Sequence, residues 1–150
     1  MKLDGRIEIA APAADVWAFI LDPGRLGTCV PGARNVRAID ERTFAGSVTA
    51  AVGPMQSDFD FTSVIVRADP PAHLGVELTG TDSMTKSSLT ATVAILLEAP
   101  DPARTVMAYQ ARIAIGGRLA ILGEMILRAT AGAMIGEVAK RMRAQLEAVP

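Results

Sequence analysis

His73 is the only histidine and Cys29 the only cysteine in 150 residues, so thiol, imidazole and metal chemistry must all pass through these two. A zinc or iron site needs three or four clustered ligands, and no Cys/His/carboxylate group at ligand spacing accompanies either residue. A nucleophilic cysteine needs a base beside it. His73 follows the turn "DPPA" at 69–72 whereas Cys29 sits in the irregular "TCVPGA" at 28–33, which argues against that pairing. Asp58 and Asp60 are two apart on one strand and share its polar side, as solvated carboxylates rather than an acid–base pair. Glu124 and Arg128, four apart, suit a helical ion pair worth a few tenths of a kcal/mol; a second reading points them inward to hold a polar headgroup. "GGR" at 116–118 opens a helix whose free amides are a weak anion signal. Arg112 and Tyr109 have no assigned facing. The expectation is no catalytic residue, no metal and no covalent cofactor.

Half the residues are hydrophobic but only 4% are aromatic, so the apolar content is aliphatic and small. With 15 Lys+Arg against 16 Asp+Glu and no basic run, the footprint of a nucleic-acid binder is missing. A lone cysteine makes no internal disulfide, and "MKLDGRIEIAAP" alternates instead of reading as a secretion signal, so the expected location is cytoplasmic. The apolar stretch 113–136 is interrupted by Arg118, Glu124 and Arg128, which argues against a membrane span.

These residues are carried by an α+β order within one domain, 1–150. Leu3, Gly5, Ile7 and Ile9 alternate with charged residues as a half-buried strand, and "PAADVWAFIL" at 12–21 is a short helix stopped by "DPG". A further helical turn follows. From Val36 to Ile115 six strands fit between turn signals, among them "VGP" at 52–54, "DPPA" at 69–72 and "GTDS" at 80–83. Each has one apolar face, so the segment from Gly117 to about Val149 is read as the helix that covers the sheet.

On a helical wheel the gripped face carries large side chains at its C-terminal end, Met134, Ile135, Val138, Met142, Leu146 and Val149, but only Ala120, Gly123, Leu127 and Ala131 at its start. A sheet wrapped round so thin a stretch cannot be filled from the helix side, and a space there reads as a binding site for a hydrophobic molecule. Its expected lining is Phe59, Phe61, Leu89, Val93 and Met107 from the sheet with Gly123, Leu127 and Ala131 from the helix. Alternatively Phe59, Phe61, Leu97 or Met107 lean in and fill it. A second stripe, Leu119, Leu122, Ile126, Ala129 and Ala133 with Met125 beside it, is expected on the outer face. Because alternate turns of a meander share a rim, Met55, Met84, Leu119, Leu122 and Ile126 are expected to ring the mouth and meet a membrane or a partner.

The sequence also resembles the CoxG family of carbon monoxide dehydrogenase subunits, within the helix-grip, Bet v 1-like and START-like (SRPBCC) superfamily. The likeness runs through "GRIEIAAPAADVWAFILDPGRLGTCVPGA" at 5–33, "VGP" at 52–54, "DPP" at 69–71 and "IGGRLAILG" at 115–123. It implies a helix-grip fold, β-α-α-β6-α, with a curved seven-stranded antiparallel sheet round a long C-terminal helix. It further implies a non-enzymatic accessory protein that binds a lipid or quinone and serves a molybdenum-containing dehydrogenase at the inner face of the membrane. Longer members carry an apolar C-terminal tail; this sequence ends at Pro150, so membrane contact is expected from the rim. Two alternatives stay open: a polyketide cyclase-like enzyme of the same fold, and a module in which the outer stripe pairs with its own copy as a homodimer.

Overall fold

The computed structural model describes residues 1–147; Val149, placed on the gripped stripe above, lies outside the described residues. The chain runs β1 (Lys2–Ile9), α1 (Ala13–Ile20), α2 (Pro23–Gly27), β2 (Ala33–Ala38), β3 (Thr43–Val52), β4 (Met55–Asp69), β5 (His73–Asp82), β6 (Ser87–Asp101) and β7 (Arg104–Gly116). A 3-10 turn (Arg118–Leu122) and the long helix α3 (Glu124–Leu146) complete it. All seven strands form one antiparallel sheet in the order β1-β7-β6-β5-β4-β3-β2. This is the α+β order expected from the elements, in the helix-grip arrangement that the resemblance implies.

Local chemistry accounts for the joints. Pro12 stands at the start of α1, and Val16, Phe19 and Ile20 turn into the core. Asp22 caps α2, its Oδ1 accepting from the Gly24 and Arg25 amides at 3.0 and 3.2 Å, with Pro23 in the first helical position. Gly53, with φ +56, makes the two-residue turn between β3 and β4, where Val52 pairs with Met55.

Cross-strand partners place Phe44, Ser63, Leu78, Ala91 and Ile113 in one inward row. Gly46, Phe61, Gly80, Leu89 and Ile115 form the next. The well-packed core lies at the other end of the sheet, where Ile7, Ile9, Leu97 and Met107 meet Val16 and Phe19 of α1 and Ala139 and Met142 of α3.

The segment after β7 departs from the sequence reading. One continuous helix from Gly117 is replaced by a 3-10 turn and then α3, with Gly117 at φ +84 and Gly123 at φ +86 breaking the backbone on either side. A 3-10 turn has about three residues per turn rather than 3.6, so an α-helical wheel loses its phase there. Ala120 and Gly123, expected on the gripped face, are therefore exposed. Leu119, expected outside, is 1% exposed and points inward. It is held there by its amide, which donates to Ser87 Oγ at 3.1 Å. Ser87 belongs to a buried polar turn in which the Thr85 hydroxyl donates to Asp82 Oδ2 at 2.7 Å.

Polar ties fix α3 unevenly. On the β1 side, Arg128 and Arg143 donate to the carbonyls of Lys2 and Glu8 at 2.8 and 2.9 Å, and Glu147 accepts from the Ala10 amide. On the α2 side Arg141 and Gln145 reach Thr28, both from the C-terminal half of the helix.

Candidate functional site

Between the open half of the sheet and the N-terminal half of α3 lies a cavity of about 360 Å³. Phe44, Val48, Phe59, Phe61, Leu78 and Leu89 form its sheet wall, with Ile113 and Ile115 at the β7 side. Leu119, Leu127, Ala131 and Met134 lie opposite, and Leu26 and Val30 close the α2 end. Small residues on the helix and two glycines on the sheet leave this space unfilled. A Cβ on Gly46 would sit 3.0 Å from the Phe61 ring, and one on Gly80 would sit 3.4 Å from that of Phe59. Both rings therefore lie against bare backbone of a neighbouring strand instead of standing up into the interior, so the alternative in which they plug the gap does not hold. Tyr109 does the same over Gly5, within the core and outside the cavity.

The lining is apolar apart from three hydroxyls, and no charged side chain reaches it among the described residues. The Ser57 hydroxyl donates to the Ala50 carbonyl at 3.0 Å and that of Thr130 to the Ile126 carbonyl at 3.0 Å. The Ser63 hydroxyl, in the middle of the wall, has no hydrogen-bond partner among the described residues.

Of the residues expected to line the site, Phe59, Phe61, Leu89, Leu127 and Ala131 come together on it. Three do not. Val93 pairs with Val76 and Ala111, one inward row beyond the wall. Met107 pairs with Ile7 and Leu97 deeper still, and is buried in the packed core. Gly123 faces solvent, with nothing within 4 Å of where a Cβ would be. The lining also includes Leu78, Ile113 and Ile115, whose facing follows from strand alternation, and Leu26 and Val30, the first in the five-residue α2 and the second in the irregular chain after it, both too short to carry a periodic signal.

The rim differs from its expected makeup as well. Leu119 lines the cavity, Met55 is half-buried, and Leu122 and Ile126 are partly covered by packing over Gly53. The apolar side chains that do stand in solvent are Ile121 at 82% and Met125 at 86% exposure, joined by Met84 at 67%. Met125 stands on the outer face as expected, and Ile121, which no expected stripe includes, is turned out by the 3-10 turn.

The remaining polar candidates sit elsewhere. Glu124 and Arg128 form an exposed pair at 3.4 Å, so neither turns into the cavity. Asp58 and Asp60 lie on the convex face, the first with Arg34 at 2.7 Å and the second accepting from the Ser47 hydroxyl at 2.7 Å. Arg112 faces outward beside Lys2. Cys29 is buried against Gln145; burial pushes its thiol above the ordinary range, opposed by the Thr28 hydrogen bond and the Arg141 and Arg25 guanidiniums. A thiol so placed is held protonated and is a poor nucleophile. His73 is exposed at the start of β5, across from Asp69. Among the described residues no His, Cys, Asp and Glu group has metal-binding geometry, and no helix is long and apolar enough to cross a membrane.

Solved structures share this arrangement. A conserved protein from Geobacillus kaustophilus superposes with a TM-score of 0.91 at 20% identity, over 98% of this chain and 95% of that one. A START superfamily protein from Mycobacterium smegmatis gives 0.74 at 10% identity, over 97% of each chain. An aromatase/cyclase from a Streptomyces strain gives 0.72 at 12% identity, over 98% of this chain and 93% of that one. At such identities the likeness is one of fold. Among curated proteins no sequence matches. The sequence does match, over residues 5–147, the family described as CoxG, a subunit of carbon monoxide dehydrogenase, and with that span the chain belongs to the CoxG family.

Proposed function

We propose that this protein is a non-enzymatic accessory protein that holds an uncharged hydrophobic molecule, a lipid or a quinone, between its sheet and α3. In this reading it serves a molybdenum-containing dehydrogenase at the membrane surface. The observation that carries it is an apolar cavity of about 360 Å³ with no ionisable side chain on its walls. Unfilled apolar space costs roughly 24 cal/mol per cubic ångström, so an occupant that displaces it is strongly favoured. A charged headgroup inside would lose its hydration with no charged side chain to replace it. The family match supports the accessory role, and the exposed Ile121 and Met125 offer a surface for contact with a membrane or enzyme.

Native mass spectrometry of the purified full chain is expected to detect one apolar adduct per molecule, extractable by organic solvent. Ala131→Phe, which puts a ring into the cavity, is expected to keep the fold and lose the adduct. Absence of any adduct in the unmodified protein, together with failure to take up added menaquinone or diacylglycerol, would sink the proposal. A catalytic reading draws on the shared fold of the Streptomyces aromatase/cyclase. It predicts acid and base groups converging on the substrate. The lining supplies the hydroxyls of Ser57, Ser63 and Thr130 and, at Met1, an α-ammonium already donating to the Ile113 carbonyl at 3.0 Å, with no base among the described residues to pair with it.

A further inference from the structure

The wall of the cavity at Ala50, Thr130 and Met134 is also the wall of a surface groove between α3 and β3. The groove exists because β2 pairs with β3 only as far as Val48. There Pro31 and Gly32 turn the chain, and Gly32, at φ +78, lies so close to the Thr49 carbonyl that no Cβ would fit. The outer edge of β3 from Ala50 to Val52 is left without a strand partner. Opposite it α3 presents Ala129 and Ala133, side chains too short to bridge the gap. The groove ends where Ile126 packs over Gly53. No charged side chain lines it among the described residues.

The ties of α3 point the same way. Its N-terminal half is bonded to β1 through Arg128, and among the described residues no hydrogen bond joins the stretch 126–134 to β3. The slot between them can widen without breaking a polar contact.

We infer that this groove is the mouth of the cavity and a second subsite, which takes the outer part of an uncharged chain too long for the cavity alone. The inference rests on the reading of the cavity as a ligand site. A cavity of about 360 Å³ lies at the small end of ligand pockets, so a long occupant must continue outside it. The continuation on offer is charge-free along its length, with Ile126, Ala129, Ala133 and Met134 on the helix side and the free backbone edge of β3 on the other.

The test is displacement of the neutral fluorophore N-phenylnaphthylamine from the full chain by straight-chain primary alcohols from butanol to dodecanol. Affinity is expected to climb about fourfold per methylene, the value for continued burial, through the whole series. Ala133→Trp fills the groove from its solvent side and leaves the cavity lining intact. It is expected to match the unmodified protein for butanol and hexanol and to bind dodecanol at least tenfold more weakly. Ala114→Trp, on the exposed convex face, is expected to change nothing. A plateau in the unmodified protein partway along the series, or long-chain affinity untouched by Ala133→Trp, overturns the subsite while leaving the cavity a binding site. Failure of the fluorophore and of every alcohol to bind overturns both.

Discussion

Gly46 has no side chain, and that absence decides where the Phe61 ring lies. A methyl group there would stand 3.0 Å from the ring and 3.1 Å from Val36, tight enough that one of them must give way by a few tenths of an ångström. Gly46→Ala is therefore expected to lift the ring into the cavity. The fold should persist, since alanine in a strand is favoured over glycine by about 0.5–1 kcal/mol, which offsets part of the crowding. Fluorophore affinity should fall about tenfold, equivalent to about 1.4 kcal/mol, as read by titration alongside a thermal melt. Gly80→Ala, whose methyl would make only ordinary contact at 3.4 Å from Phe59, is expected to have a smaller effect. Unchanged affinity in Gly46→Ala would mean that the ring has another resting place. Period-two alternation announces that Phe59 and Phe61 face inward. Whether they fill the interior depends on what stands beside them across the sheet, which follows from register and has no trace in a linear pattern.

At the scale of elements, the short edge strand β2 is clasped by a side chain. Arg34 donates to Thr49 Oγ1 at 2.7 Å and to both oxygens of Asp58, two strands away, at 2.8 and 2.7 Å. These bonds hold the Asp58 carboxyl below the usual carboxylate range, against a smaller opposing effect of desolvation. A carboxyl depressed in the folded state contributes stability above its unfolded pKa and loses it as pH falls through the folded value. Thermal melts of the unmodified protein and Asp58→Asn should thus differ by a constant gap near neutral pH and converge below about pH 4. Identical melts throughout would mean the clasp contributes nothing, as exposed pairs sometimes do. The strands, α1 and the C-terminal half of α3 are readable in the sequence because their periodicities run unbroken. The start of α3 is not, because Gly117 and Gly123 bracket a turn of different pitch and a wheel drawn through them misplaces Leu119, Ala120 and Gly123. A glycine inside an apolar periodic stretch reads equally as a thin helix face or as a break. Only the packing of Leu119 beside Ser87 distinguishes the two.

At the scale of the whole molecule, one end gathers both exposed apolar side chains and cations. Ile121 and Met125 project from the junction of the 3-10 turn and α3, and the adjoining turn carries Met84. Lys86 and Arg118 are exposed beside them. Apolar prongs among cations suit an anionic lipid surface. Replacing Ile121 and Met125 together by Asp is expected to abolish sedimentation with phosphatidylglycerol vesicles while the melting temperature stays within about 3 °C, since solvent-facing side chains contribute little to stability. Light scattering separates the rival use of this end: a dimer that becomes a monomer in the double variant would assign the patch to self-association. The hollow beneath it has a mechanical side too. Close-packed interiors yield little to pressure, whereas an apolar void of about 360 Å³ holds water poorly and adds to the volume that unfolding releases. Vacancy thus registers as compressibility, and a molecule with this space occupied would be the stiffer one and the slower to yield under hydrostatic load.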